Sequence, residues 1–266
     1  MNIIVLIKQV PDTTDIKLDP KTGNLLREGV PSIINPDDRH ALEAALRLKE
    51  EHGGRVAVVS MGPNQAIDAV SEALGMGADE GVLLSDPAFA GADTWATSFT
   101  LSRAIQKMEG FDLILCGRQA IDGDTAQVGP QIAEILDLPQ VTAVCGIRSF
   151  EPSPPGHSQV LRRTGNGYQL LSCTLPALFS VVSEINTPRY PHMERLLRAC
   201  TTQTAIKHWN CADLGLKTQE VGLAESLTQV VKTFPPKTQR KGEVLEGPPR
   251  SVAGQLLDRL HENKLI

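Results

Sequence analysis

The sequence predicts an α/β protein built on an open, mostly parallel, doubly wound sheet, with an antiparallel addition and a C-terminal arm. Three observations predict it. Short, continuous apolar runs rich in β-branched residues, at 3–7, 55–60, 82–85 and 111–116, read as strands buried on both faces. Segments with apolar residues at helical spacing lie between and after them, so strands and helices alternate as far as Leu138. Beyond Pro139 the chain changes to strand-like runs separated by Pro/Gly-rich turns.

Ile3–Ile7 is the first strand, and Lys8-Gln-Val-Pro-Asp-Thr-Thr14 follows as a loop because Pro11 forbids simple continuation of the strand. Asp15–Leu26 contains Asp-Pro-Lys-Thr-Gly-Asn, turn chemistry for a small hairpin. Asn35 is placed as N-cap and Pro36 as first residue of a helix to about His52, with Ala41, Ala44, Ala45 and Leu48 on one face. Gly53-Gly54 ends it. Arg55–Ser60 is a strand, and Met61-Gly-Pro63 turns into a helix around Asn64–Leu74. The glycines of Gly75-Met-Gly-Ala-Asp-Glu-Gly81 suggest a dinucleotide fingerprint. They follow a helix and precede the strand Val82–Ser85, the reverse of that motif, and read as a helix end and a connection. After a loop at Asp86–Ala92, Gly91-Ala-Asp-Thr-Trp-Ala-Thr-Ser98 opens a helix through Lys107, with Asp93 and Thr94 as caps. Thr94, Thr97 and Ser98 either compete for that cap or touch a ligand at the sheet edge.

Val141–Phe150, Gln159–Arg163, Tyr168–Cys173 and Ala177–Ser183 are expected as strands of the antiparallel addition. Glu184–Tyr190 reads as a surface loop into a short helix carrying Met193, Leu196 and Leu197. From Thr201 to Pro249 the chain is polar and weakly periodic, expected to make no core of its own and either to dangle or to wrap a partner. Ser251–Leu265 is an amphipathic helix with Val252, Leu256, Leu257 and Leu260 on one side, docking on another subunit or folding back on its own domain.

Composition excludes several classes. A net charge of −5 without a basic cluster gives no footprint for nucleic acid, and 4% aromatic residues leave no base-stacking platform. No apolar run is long enough for a membrane span, so no membrane insertion is expected. Met1-Asn-Ile-Ile-Val-Leu-Ile7 reads as a strand, not a signal peptide, and no Arg-rich transit segment is seen, so a bacterial cytoplasm or an already processed protein is expected. Cys116, Cys145, Cys173, Cys200 and Cys211 form no C-x-x-C pair and the histidines are scattered, so no disulfide framework and no metal site are expected.

The most informative stretch is Gly117-Arg-Gln-Ala-Ile-Asp-Gly-Asp-Thr-Ala-Gln-Val-Gly-Pro130. It carries the chain from the carboxyl end of a strand into a helix, where open α/β sheets bind ligands. A helix start there offers unpaired N–H groups to a phosphate. Gly117, Gly123 and Gly129 permit bends or close approach to a ligand. Asp122, Asp124 and Thr125 are candidate N-caps, Asp124 with Gln127 resembling a capping box. Thr125 and Gln127 could instead bond a phosphate or ribose, and Arg118 offers a planar donor fork. Chemistry alone leaves two readings open: a nucleotide-type loop, or a well-capped helix start without a ligand. The loops after residues 7, 60, 85 and 116 share one rim, where one ligand could touch all four.

Together with that loop, Val5-Leu-Ile-Lys-Gln-Val-Pro-Asp-Thr13, Asn35-Pro-Asp-Asp38, Met61-Gly-Pro63, the run 91–98 and Asn186-Thr-Pro-Arg-Tyr190 resemble the β subunit of electron transfer flavoprotein. The resemblance spans the chain and is weakest after residue 200. It implies an adenine-nucleotide-hydrolase-like fold, with 1–200 as the nucleotide- or flavin-binding domain and 201–266 as an arm and terminal helix docking on an α subunit. That α subunit would carry a mobile FAD. The nucleotide site would comprise Leu6, Asn35, Asp38, Ser60, Met61, Gly62, Thr94 and Thr97. From the loop it would take Gly117, Arg118, Gln119, Asp122, Gly123, Asp124, Thr125, Ala126, Gln127, Val128, Gly129 and Pro130. A recognition segment over about 184–197, with Ile185, Asn186, Pro188, Arg189, Tyr190 and Met193, would dock on a flavoenzyme.

Lys8–Thr13 and Asp122–Pro130 are similar to the electron-bifurcating branch, which binds a second FAD where the housekeeping branch binds AMP. Thr13 stands where housekeeping members tend to carry a tyrosine. This implies FAD, with AMP as the alternative in the same site. NADH would deliver a hydride, one electron then going to the α-subunit flavin and one to a low-potential acceptor, ferredoxin or flavodoxin. The redox partner implied is an acyl-CoA dehydrogenase or, since 190–200 lacks a Lys-rich run, a lactate-dehydrogenase-like flavoenzyme. The housekeeping alternative would shuttle single electrons from acyl-CoA dehydrogenases. A rival of another class is a stand-alone ATP-binding or ATP-hydrolysing domain, against which stands the lack of a pyrophosphatase loop or Walker lysine.

Overall fold

The computed structural model describes residues 1–12, 31–108, 110–153, 155–232 and 242–266. The hairpin expected at Asp15–Leu26 and the position of Thr13 lie outside the described residues. Two compact units are present, Met1–Val230 and Val231–Ile266.

The first unit is built from the alternation the sequence predicts. Strand β1 (Asn2–Leu6) is followed by a two-stranded antiparallel ribbon of β2 (Gln9–Pro11) and β3 (Ser32–Ile34), then helix α1 (Pro36–His52). The chain continues through β4 (Arg55–Met61), α2 (Ile67–Met76), β5 (Glu80–Leu84), α3 (Thr94–Met108), β6 (Leu113–Gly117) and α4 (Val128–Ile135). Four further strands follow: β7 (Gln140–Glu151), β8 (His157–Thr164), β9 (Gly167–Thr174) and β10 (Ala177–Val181). Helix α5 (Met193–Thr202), strand β11 (Ile206–Trp209) and the short α6 (Gly222–Glu225) complete the unit. Gly77 ends α2 at a φ of 138° that disfavours side chains, the helix end expected there, while Gly81 lies within β5 and not in the connection.

Nine strands form one sheet in the order β11-β5-β4-β1-β6-β10-β7-β8-β9. Side chains of Ile3, Val5, Val58, Leu113 and Phe179 pack with α1 and α2 residues such as Leu42 and Val70 on one face. Ile4, Leu6, Val59, Ile114 and Leu178 pack with Leu101, Ile105 and Ile132 on the other. Alternate residues of each strand feed opposite cores, which is why these strands read as unbroken apolar runs.

Two expectations are corrected. Ala177–Ser183 does not belong to the antiparallel addition: β10 lies between β6 and β7 and runs parallel to both. Within the nine-stranded sheet, among the described residues, the antiparallel pairs are β7-β8 and β8-β9. All five residues of β10 are buried, because helices cover both of its faces. The stretch from residue 201, expected to make no core of its own, belongs to the first compact unit as far as Val230. Ile206–Trp209 extends the sheet in parallel to β5. The half-exposed Lys207 reaches the buried Glu80 at 2.6 Å, and Arg55 of β4 pairs with the same carboxylate. Cys211, Leu214 and Val221 then enter the core beneath α3. Four strand residues followed by an irregular loop leave no periodicity for a sequence reading to find.

The second unit contains helix α7 (Pro249–Glu262). Arg259 bonds Glu243 at 2.9 and 3.0 Å and Glu262 at 2.9 Å. Leu256 and Leu257 of the expected apolar side are half exposed.

Candidate functional site

The parallel registers bring the carboxyl ends of β1, β4, β5 and β6 to one rim: Leu6 lies opposite both Val59 and Cys116, and Met61 opposite Leu84. From β1 the chain crosses to β4 and β5 on one side, then returns to place β6 on the other. Strand order therefore reverses between β1 and β6. Loops leaving two strands in opposite directions open a crevice at such a switch point.

Asp38, in the first turn of α1, holds that crevice in shape. Its buried carboxylate accepts the Lys8 N–H at 2.8 Å and the Gly117 N–H at 2.9 Å, bracketing the ends of β1 and β6. Burial pushes the Asp38 carboxyl up to about 7, although both N–H bonds favour the charged form. Asn35 occupies the N-cap position of α1 but its side chain caps nothing. It donates to the Gln119 carbonyl at 2.9 Å and accepts the Ile121 N–H at 3.1 Å, pinning the 117–127 loop. Lys8 Nζ spans the gap to both oxygens of Asp122 at 2.7 Å. Lys8 was not a candidate in the sequence reading; its signal was a lone cation at the carboxyl end of the first strand.

The capping expected of the loop is not made. Helix α4 starts at Val128, its N-cap Gln127 forms no side-chain cap bond, and Asp122 and Asp124 are engaged elsewhere. Asp124 accepts from Gln119 Nε2, and Thr125 is exposed in the same stretch. Asp124 and Ala126 take left-handed φ values of 51° and 54°, a conformation a non-glycine residue holds at a cost. The strain turns the chain sharply and delays the helix start, leaving the Val128 and Gly129 N–H groups as first-turn donors, while Pro130 has none. Gly129 is buried against Cys116, whose Sγ would lie 2.8 Å from an added Cβ.

Helix α3 meets this loop from the side. Thr94 Oγ1 donates to Gln127 Oε1 at 3.0 Å, and the buried Ser98 donates to the Thr94 carbonyl at 2.6 Å. Ser98 also lies 2.9 Å from Gln131 Oε1, and Thr97 is half-buried one turn into the helix. Asp93 caps α3 through the Ala96 N–H at 3.0 Å, as expected. At the end of β4, Met61 and Gly62 are half-buried, and the buried Ser60 Oγ has no hydrogen-bond partner among the described residues. The Leu6 side chain points into the core below, so at the rim it offers only backbone. The Arg118 N–H donates to the Val181 carbonyl at 2.8 Å, and its Nε is buried without a partner among the described residues. Burial raises the Asp37 carboxyl, against the pull of the Arg118 and His40 charges.

The segment 185–193 does not reach this rim. Ile185 packs on the core beside α1, and the Asn186 amide bonds His40 at 3.1 Å to Nδ1 and 2.9 Å to the carbonyl. Arg189 binds Glu43 at 2.8 Å and Glu50 at 2.5 Å. Burial would raise the Glu43 carboxyl, but bonds from Arg189 and Arg47 outweigh it and hold it below its usual range. With Arg189 fixed and Pro188 half-buried beside it, Tyr190 at 90% and Met193 at 75% exposure project into solvent. A group whose folded pKa is depressed stabilises above its unfolded value and loses that contribution as pH falls. Arg189→Met should therefore be less stable than wild type at pH 7, and their urea midpoints should converge as pH drops below the reference value of 4.5. Parallel curves would show that the pair contributes nothing.

Among the described residues, no three His, Cys, Asp or Glu side chains gather to hold a metal ion, and no helix is long and apolar enough to cross a membrane. A family model described as an electron transfer flavoprotein domain matches residues 22–213. The chain is 50% identical to an electron transfer flavoprotein subunit beta of Thermoanaerobacterium thermosaccharolyticum, covering 100% of each chain. It is 48% identical to subunit CarD of the caffeyl-CoA reductase–Etf complex of Acetobacterium woodii, again covering 100% of each. It is 44% identical to protein FixA of Azotobacter vinelandii, over 98% of this chain and 94% of that one.

Proposed function

This chain belongs to the electron transfer flavoprotein family as a β subunit, and from that premise we propose that it holds FAD in the crevice between β1 and β6. In complex with an α subunit it passes electrons from NADH to a flavoenzyme partner and to a low-potential acceptor such as ferredoxin or flavodoxin. The observation that carries the nucleotide site is the reversal of strand order at β1 and β6, with the diverging loops tied by Asp38. The bifurcating role is supported by the likeness to CarD, named as part of a reductase complex. The partner is a dehydrogenase of the acyl-CoA or lactate type, docking on Tyr190 and Met193, and the unit from Val231 onward docks on the α subunit. A bacterial cytoplasm fits this reading.

The residues at the rim fit such a ligand. The uncapped first turn of α4 suits a phosphate, Thr94 and Gln127 offer polar contacts, and Ser60 Oγ and Arg118 Nε are buried polar atoms without partners among the described residues. A flavin held there supplies the redox chemistry. The chain's own work is binding, orientation and electrostatic tuning: the Arg118 guanidinium favours an anionic reduced ligand beside it, and the switch-point loops hold the nucleotide. Arg118→Ala should lower flavin occupancy and make the potential of what remains more negative. Unchanged occupancy and potential would remove Arg118 from this role.

Co-purification with the α subunit followed by counting bound nucleotides tests the whole reading. Two FAD per complex are expected. One FAD with one AMP would replace bifurcation by simple transfer from acyl-CoA dehydrogenases, and ATP turnover by this chain alone would replace both by a hydrolase.

A further inference from the structure

Asp93 commits its two carboxylate oxygens to two different parts of the molecule. Oδ1 accepts the Ala96 N–H and so caps α3 at the rim. Oδ2 accepts both the N–H and the hydroxyl of Thr228 at 2.9 Å each. The Asp93 N–H donates to Ser226 Oγ at 2.9 Å, and the Leu223 N–H donates to the Ala90 carbonyl at 3.1 Å. Gly222, at a φ of 61°, passes so close to Ala88 that a Cβ there would fall 1.9 Å from its carbonyl oxygen. Residues 222–228 are thus fastened onto the loop that opens α3. The first compact unit ends at Val230, just beyond this fastening. In the other direction, the residue after Asp93 is Thr94, bonded to Gln127 of the candidate loop. Burial opposes ionisation of Asp93, but the bonds it accepts from Ala96 and Thr228 hold its carboxyl below the usual range.

We infer that Asp93 is a positioning residue coupling nucleotide occupancy at the rim to the order of the chain segment from which the C-terminal unit departs. The inference rests on the nucleotide site proposed above. A ligand engaging Thr94 or Gln127 fixes the first turn of α3. That turn orients the carboxylate whose other oxygen holds Thr228. Coupling between two equilibria is reciprocal, so whatever orders residues 222–228 must tighten nucleotide binding by the same factor.

The test is amide hydrogen exchange of the peptide spanning 222–231, in the full chain within its purified complex, stripped of nucleotide and then saturated with FAD or AMP. Wild type should exchange at least about fivefold more slowly when nucleotide is bound, the lower end of coupling between linked sites. Asp93→Asn keeps an acceptor for the Ala96 cap but turns an amide NH2 toward the two Thr228 donors. In it the bound-to-free ratio should fall to near one, and nucleotide affinity should drop by the factor lost. Thr228→Val should reduce the ratio and Thr228→Ser should restore it. A residue that only supported the fold would change both rates together and leave the ratio intact. The inference is overturned if Asp93→Asn keeps the wild-type ratio, or if wild type shows no slowing while titration shows nucleotide bound. A complex that binds neither nucleotide sinks this inference together with the reading beneath it.

Discussion

Asp38→Ala should cost the fold at least about 1–3 kcal/mol, because it strands the buried Gly117 N–H at that cost and the part-buried Lys8 N–H at a smaller one, and it should abolish nucleotide retention. The donors are those of Lys8 and Gly117, at the two strand ends that frame the crevice. Without the carboxylate the chain just past the paired ends of β1 and β6 loses its common acceptor, so stability and binding should fall as one. Asp38→Asn should be milder, keeping one acceptor while setting an amide NH2 against an N–H. The pH dependence has a definite sign. Burial raises the folded-state carboxyl from 3.8 to about 7, so the folded protein holds this proton more tightly than the unfolded chain. The contribution is present at low pH and is lost as pH rises from about 4 through about 7. The stability gap between wild type and Asp38→Asn should narrow across that window and stay constant above it. A gap that widened with pH, measured by urea midpoints, would show that the carboxylate is the better-bound form.

Gly117→Ala should destabilise by about 1–3 kcal/mol, the cost of overpacking a site that cannot relax, and weaken nucleotide binding with it. An added Cβ would lie 2.4 Å from Asp38 Oδ1, 2.7 Å from Asp37 Cβ and 2.8 Å from the Asp37 backbone carbon. All three belong to the first turn of α1, and the two Asp37 atoms are fixed by its backbone, so no side-chain rotation relieves the clash. Gly123→Ala is the control within the same loop: no atom of the described residues lies within 4 Å of its Cβ position, and its φ is not among the left-handed ones. It should change stability by no more than about 0.5 kcal/mol, as exposed substitutions usually do. Equal effects at the two glycines, read from thermal or urea unfolding, would refute the steric account.

These two glycines show how far the loop was legible. Both read as places for a bend or a close approach, but the close neighbour of Gly117 is a helix distant in sequence, while Gly123 faces open space. Asp122 and Asp124 likewise read as helix caps because local spacing permits it. Their true partners, Lys8 and Gln119, are set by which strand lies beside β6 and by two left-handed residues that delay the helix. Asn35 was correctly placed at a helix start, yet its side chain serves another loop 84 residues away.

By itself the sequence determined the alternation of strands and helices through Leu138, the shared rim and the family, because buried strands and amphipathic helices write their periods locally and motifs are strings. Tertiary structure alone decided that β10 enters the parallel sheet, that β11 extends its edge, and that Asp38 and Asp93 each join two distant segments. Strand order and the partner of a carboxylate are outcomes of packing between segments far apart in the chain, and no local spacing encodes them.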